Sequence, residues 1–311
     1  MKILVTGGAG FIGSHLCDRL TEEGNHVTVV DNLTLGKREN IAHLCAMPSF
    51  TFIEEDVLNT ERMRLIFSEG KFDMVYHLAA NSDIQKGGKN PLVDYQLTFN
   101  TTFQILQLLK EFEVKRLFFA STSAIYGETY DTLNEDYGPL KPVSNYGAGK
   151  LASEAFISAF SHTYHIQTWI TRFPNVVGER FTHGVIHDFI HKLQANPHEL
   201  EVLGNGEQCK PYVYVKDLID GIQYVVSHAK EPYNVYMLGS DTRTKVKDIA
   251  RMVIEEMGLD AVIRYTGGDR GWVGDVPEFR YDLTKVNQLG WFAAHDSNES
   301  VRIAIRKGLG K

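Results

Sequence analysis

Basic clusters, membrane-length apolar runs and paired cysteines are all missing from this chain of 311 residues. Lysine and arginine number 32 against 39 aspartates and glutamates, a net charge of -7. No basic block offers itself to nucleic acid or to an anionic membrane. An anionic ligand would need a few locally placed cations or helix N-termini instead. No apolar stretch approaches the roughly 20 residues that cross a bilayer. Met1-Lys2 leads through a short apolar run into glycines, unlike a secretory leader or an anchor. The three cysteines, Cys17, Cys45 and Cys209, have neither disulfide nor metal spacing, so a reducing, cytoplasmic setting is expected. Internal repeats and low-complexity segments are absent too. What is present, 43% hydrophobic and 23% charged, is ordinary globular material for one large or two modest domains.

The apolar segments alternate in type. Residues 2–6, 26–31, 49–57, 73–80, 116–122 and 166–175 read as strands. Between them lie helical patterns: one carrying Phe11, Ile12, Leu16 and Leu20, one ending at Gly70, a long one over 92–112 after Pro91, and one over 144–164 with Ser144 as N-cap. Such alternation implies right-handed βαβ units, hence an α/β fold built on a doubly wound parallel (Rossmann) sheet. Residues 1–172 are expected to form this dinucleotide-binding domain. Residues 173–311 are expected to form a smaller α/β substrate lobe, with 211–240 returning to the main sheet.

The stretch "TGGAGFIG" places Gly7, Gly8, Gly10 and Gly13 between the first strand and the first helix. Glycines there let a backbone approach a pyrophosphate, and the helix supplies N–H groups and its positive end. Asp31 closes the second strand, where a carboxylate accepts from a ribose diol and repels a 2'-phosphate. The pattern therefore predicts NAD rather than NADP. Asp56 and Val57, at the end of the third strand, are placed to border the adenine.

A cluster of small hydroxyls, "ASTSAIYG", ends the fifth strand, but none of its members is a base at neutral pH. The base is sought downstream in "YGAGK", where Tyr146 and Lys150 share one helix face. An ammonium beside a phenol favours the phenolate. Gly147 and Gly149 are costly in a helix, about 1 kcal/mol each, and close approach of a cofactor would explain them.

With "TGGAGFIG", Asp31, "HLAA", "STSAIYG", "YGAGK", "RFPNVVG" and "GDRGWVGD" in this order, the chain resembles the extended short-chain dehydrogenase/reductase family, in its nucleotide-sugar epimerase/dehydratase group. The resemblance implies that Tyr146 is the base, that Lys150 supports it, and that Thr122 with Ser123 holds the sugar 4-hydroxyl. It implies a cofactor set of Gly7, Gly10, Phe11, Ile12, Gly13, Asp31, Asn32, Asp56, Val57, Leu78, Ala79, Ala80, Asn100, Tyr146 and Lys150. For the nucleotide diphosphate it implies Asn175, Lys210 and Arg270. The family's dehydratases resemble "STDEVYG" and its uronate decarboxylases "STSEVYG" where this chain has Ser123-Ala124. The missing carboxylate points to epimerisation at C4 of a UDP-glucose/galactose or UDP-uronate type substrate. A 4,6-dehydratase or uronate decarboxylase is the alternative, with Glu128 or Asp83 as substitute acids, and a non-catalytic NAD-binding regulatory protein is a second. Ser123 and Arg180 could meet a C6 carboxylate. Relatives of this kind pair through two helices, so a homodimer is expected through 92–112 and 144–164. His183, His187 and His191 recur at helical spacing, but no third ligand type accompanies them and no metal is expected. Tyr212, Tyr214 and Trp272 read as core aromatics before they read as neighbours of a base.

Overall fold

The computed structural model describes residues 1–271 and 276–311, so Trp272 lies outside the described residues. The chain divides into two compact units. Unit 1 takes residues 1–127, 140–172 and 223–236, and unit 2 takes 128–139, 173–222 and 237–311.

Unit 1 is organised by a seven-stranded sheet. Its strands are β1 (Lys2–Thr6), β2 (His26–Asp31), β3 (Phe50–Glu54), β4 (Met74–His77), β5 (Arg116–Thr122), β6 (Gln167–Phe173) and β7 (Tyr233–Met237). Their spatial order is β7-β6-β5-β4-β1-β2-β3. β1 pairs in parallel with both β2 and β4, so the chain winds out to one edge, returns past its start and winds to the other. The ends of β1 and β4 therefore diverge at a switch point, where such sheets bind ligands. The strands read as near-continuous apolar runs because helices cover both faces. Leu4, Val75, Leu117, Phe119 and Ile170 bury one face against Ile66, Phe67, Ile105 and Leu109.

The helices of unit 1 are α1 (Phe11–Glu22), α2 (Thr60–Gly70), α3 (Ile84–Lys89), α4 (Pro91–Asp94), α5 (Thr101–Glu111) and α6 (Asn145–Tyr164). Ser144 caps α6 as expected, its hydroxyl accepting from Gly147 N at 3.1 Å. The long helix expected over 92–112 is interrupted: α4 passes into a π-helical segment, Tyr95–Asn100, before α5 begins. The cause is local. Asp94 accepts from Asn81 Nδ2 at 2.8 Å. Thr98 is packed against Gly149 of α6, where a Cβ would come within 3.1 Å of its methyl. A wider turn carries the chain past this crossing. The sixth strand is also shorter than expected. It stops at Phe173 before Pro174, which has no N–H to donate, and Asn175–Val177 pairs instead with Tyr212–Tyr214. The edge strand β7 lies within the 211–240 segment expected to return to the main sheet, although no strand was assigned there.

Unit 2 has its own core. Helices Val185–Ala195, Val246–Met257 and Ser297–Gly308 bury Phe189, Ile190, Val253, Val301 and Ile305 together. The last helix starts at a capping box, with Asp296 accepting from Glu299 N and Glu299 accepting from Asp296 N.

Candidate active site

The turn from β1 into α1 is shaped by what glycine lacks. Gly7 adopts φ +75, and a Cβ there would lie 2.7 Å from Ala79 N. A Cβ on Gly13 would lie 2.1 Å from Gly7 O, so helix and turn touch backbone to backbone. Gly10, by contrast, would meet only Gly7 O, at 3.2 Å. Gly10 is the N-cap of α1, without a side-chain cap, and no acid stands in the first turn. The N–H groups of Phe11 and Ile12 thus open the helix at its positive end, a fit for a pyrophosphate. Asp31 is 8% exposed and accepts from Ala9 N at 3.0 Å and Leu33 N at 2.9 Å. Burial raises its pKa above the ordinary carboxylate value against the lowering by those two bonds. Asn32 donates to Asp56 Oδ2 at 3.0 Å, and Val57 is buried beside it. After β4, Leu78 N is tied to Thr6 O at 3.0 Å, and Ala79 and Ala80 continue that loop. These residues suit a dinucleotide. Asn100 ends the π segment, half-buried, with its side chain in no bond to this set among those described.

Thr122 ends β5 and caps a short 3-10 turn, Ser123–Ile125, its hydroxyl accepting from Ala124 N at 3.2 Å. Tyr146 shares a hydrogen bond with Thr122. Lys150 is 2% exposed, and its ammonium donates to Ala120 O at 2.7 Å. Nζ sits 4.5 Å from the Phe119 ring centroid and 5.9 Å from that of Tyr146. The sequence-based expectation that the ammonium would make Tyr146 more acidic is not met by the chain's own groups. Burial pushes Tyr146 up to about 12, and the Thr122 bond offsets only part of this. Burial also pulls Lys150 down to about 7, with Glu154 opposing it.

The helix glycines have a packing role. A Cβ on Gly147 would lie 2.4 Å from Ala124 O, and one on Gly149 would lie 3.1 Å from Thr98 Cγ2. They let α6 close on the 3-10 turn and on the π segment.

Unit 2 carries the residues expected at a diphosphate. Asn175 opens the strand paired with Tyr212–Tyr214 and is exposed. Lys210 lies in a two-residue strand paired with Thr244–Lys245. Arg270 Nη2 is 2.7 Å from Glu128 Oε1, so one substitute acid is engaged by a cation. Asp83, the other, caps α3 by accepting from Lys86 N at 2.9 Å. Tyr212 and Tyr214 are buried, and Tyr214 donates to Glu179 Oε2 at 2.9 Å. His187 and His191 lie on one helix with their Nε2 atoms 3.0 Å apart, while His183 precedes it. No group of three or more His, Cys, Asp or Glu among the described residues could hold a metal.

Glu154 and Arg172 were missed. Both are buried and paired at 2.7 Å. A signal existed: an arginine inside the apolar strand "TWITRF" needs a buried acid, and a glutamate stands one turn beyond Lys150.

Comparison with known proteins gives a concordant picture. The model of the NAD dependent epimerase/dehydratase family matches residues 3–239. The crystal structure of a UDP-galactose 4-epimerase is 34% identical, covers 100% of this chain and 99% of its own, and superposes with a TM-score of 0.88. The UDP-glucose 4-epimerase of Thermotoga maritima, solved with UDP-glucose, is 30% identical with the same coverage of 100% and 99% and a TM-score of 0.90. UDP-glucuronic acid decarboxylase 1 of Xenopus tropicalis is 32% identical over 302 residues, 93% of this chain and 68% of that protein.

Helix propensity alone would make Gly147→Ala stabilising by about 1 kcal/mol. The clash with Ala124 O reverses the sign. We expect a net loss of about 1–3 kcal/mol, read as a lower urea midpoint at unchanged m-value. A stabilised Gly147→Ala protein would show that the turn and helix do not meet as described.

Proposed function

The chain belongs to the NAD-dependent epimerase/dehydratase family, whose relatives here act on nucleotide sugars, and on that premise we propose that it is a nucleotide-sugar 4-epimerase. The substrate class is a UDP-sugar of glucose/galactose or uronate type, and the path runs through a transient 4-keto sugar. The observation that carries this reading is the turn after Thr122. Ser123 and Ala124 fill it, and Ala124 O is packed against Gly147. A dehydratase needs an acid there to expel water, and the decarboxylases carry one; an epimerase needs none.

Gly7, Gly10 and Gly13, with the α1 N-terminus, hold the pyrophosphate in this reading, and Asp31 holds the adenosine ribose. NAD, when bound there, would supply the acceptor for the hydride on the sugar's C4. Tyr146 Oη takes the 4-hydroxyl proton and gives it back. Thr122 Oγ1 orients that proton, and Lys150 holds Tyr146 in place and supplies positive charge. Asn175, Lys210 and Arg270 bind the diphosphate, with Glu128 the group that Arg270 leaves. The chain acts as a homodimer through the aromatic face of α5 and α6. There Phe156 packs at 5.4 Å from Phe99 and 5.3 Å from Phe103, yet remains 41% exposed.

The dimer is checked by sedimentation, where Phe156→Glu should give a monomer; a variant that still sediments as a dimer removes this face from the interface. Calorimetry checks Asp31. The parent should prefer NAD to NADP, and Asp31→Ala should narrow the gap by roughly 10-fold or more; equal affinities in the parent would remove Asp31 from the ribose. The reaction is checked in deuterium oxide with a panel of UDP-, GDP-, CDP- and dTDP-sugars. Epimerisation gives an unlabelled product of equal mass with inverted C4 coupling. Tyr146→Phe should retain the fold and lose turnover by about 100-fold or more. A deuterated product lighter by about 18 mass units means water was eliminated; that product, or released carbon dioxide, would overturn the proposal.

A further inference from the structure

One turn beyond Lys150, helix α6 carries Glu154, which pairs with Arg172 of β6. Glu154 is 4% exposed and Arg172, near the end of β6, is 6% exposed. Arg172 Nε lies 3.1 and 3.2 Å from the two carboxylate oxygens, and Nη2 lies 2.7 Å from Oε2. The remaining arms reach forward. Arg172 Nη1 donates to Tyr126 Oη at 3.0 Å. Ser121 Oγ donates to Glu154 Oε1. Ser121 immediately precedes Thr122, and Tyr126 immediately follows Ile125. The pair therefore grips both ends of the turn that carries Thr122, Ser123 and Ala124. One turn back on α6, Lys150 grips Ala120 O, the residue before Ser121.

We propose that Glu154 and Arg172 are positioning residues of the reaction, which fix the Thr122–Ile125 turn against α6 and keep the charge on Lys150. The proposal rests on the reading of Tyr146 and Lys150 as the reacting pair. A buried ion pair is a poor way to gain stability, since two apolar side chains of like volume do as well or better. Its value here is directional, because a guanidinium and a carboxylate together offer bonds of fixed geometry to two further hydroxyls. The other groups facing Lys150 do not replace Glu154. His77, from β4, is pulled down to about 3 by burial first and by Lys150 second, so it is neutral. Tyr146, on the same helix, has its phenolate disfavoured by burial in the ligand-free chain. Asp94, from α4, acts on Tyr146. Arg172 is spent on Glu154. The carboxylate of Glu154 is thus the charge that works against burial at Lys150.

The test is a titration that needs no turnover. The protein is labelled with 13C-lysine, and the Lys150 Cε signal, assigned by its loss in Lys150→Arg, is followed against pH. In Glu154→Gln the midpoint should fall by about one pH unit or more. The sign follows from the charge: without the anion the ammonium loses its proton earlier, so the alkaline limb of kcat should move down with it. Tyr126→Phe should leave the midpoint in place and lower kcat by about 10-fold at unchanged KM. If Glu154→Gln strands the guanidinium and fails to fold, Glu154→Gln/Arg172→Met removes the whole pair, and its kcat should fall by about 10-fold at unchanged KM. A folded Glu154→Gln with an unmoved Lys150 midpoint overturns the proposal, as does full kcat in the double variant or in Tyr126→Phe. A shifted midpoint in a protein that epimerises no sugar would instead sink the proposed function and leave this coupling standing.

Discussion

A lysine with almost no contact with water must find in the protein what water would have given it, and the surroundings of Lys150 are arranged around that need. An isolated ammonium in an apolar interior either pairs, finds acceptors, or loses its proton. Lys150 has one backbone acceptor in Ala120 O, the face of Phe119, and a carboxylate one turn away. To reach Ala120 the helix has to lie close on β5. Closeness is what Gly147 and Gly149 provide, against Ala124 O on one side and Thr98 on the other. Thr98 in turn sits in the widened turn between α4 and α5. Two helix-breaking residues and one helix irregularity, each unfavourable by itself, thus share a single cause.

The sheet puts this arrangement where it can be used. Gly7 follows β1, Leu78 follows β4 and Thr122 closes β5, so the cradle for a dinucleotide and the hydroxyl cluster stand at the same ends of neighbouring strands. Thr6, His77 and Thr102 link these strands to α5 through bonds of 2.7 and 3.1 Å. A histidine in that position is a structural connector, and its burial removes it as a titrating group.

What the sequence disclosed and what it withheld follow from range. Strands β1, β2 and β5 were read to the residue because their apolar runs end in chemistry that strands cannot continue: glycines after Thr6, Asp31, and the hydroxyls at Thr122. The cofactor cradle was legible for the same reason, being a local pattern of glycines with its helix attached. The break in the long helix was not legible, because it arises from Asn81 and Gly149, which are distant in sequence from Asp94 and Thr98. The contact of Gly147 was not legible, since its partner Ala124 belongs to another element. Glu154 and Arg172 were missed because their pairing appears only once the fold brings α6 over β6. The edge strand β7 is short and mixed in polarity, so neither period marks it.

The acidity of Tyr146 shows what spacing alone leaves out, which is the weight of burial against a neighbouring charge. Four residues on a helix do bring a lysine beside a tyrosine, but the same packing takes both out of water. Removal from water acts on each group against its charged form, raising the phenol to about 12 and lowering the amine to about 7. Burial thus works against phenolate and ammonium alike. A positive charge brought to the 4-hydroxyl side would favour the phenolate, but it would also disfavour the ammonium. The two charged forms favour each other, and a second anion one turn beyond Lys150 adds to the hold on the lysine's proton. Glu154 stands there, locked by Arg172 and Ser121 so that it cannot turn away.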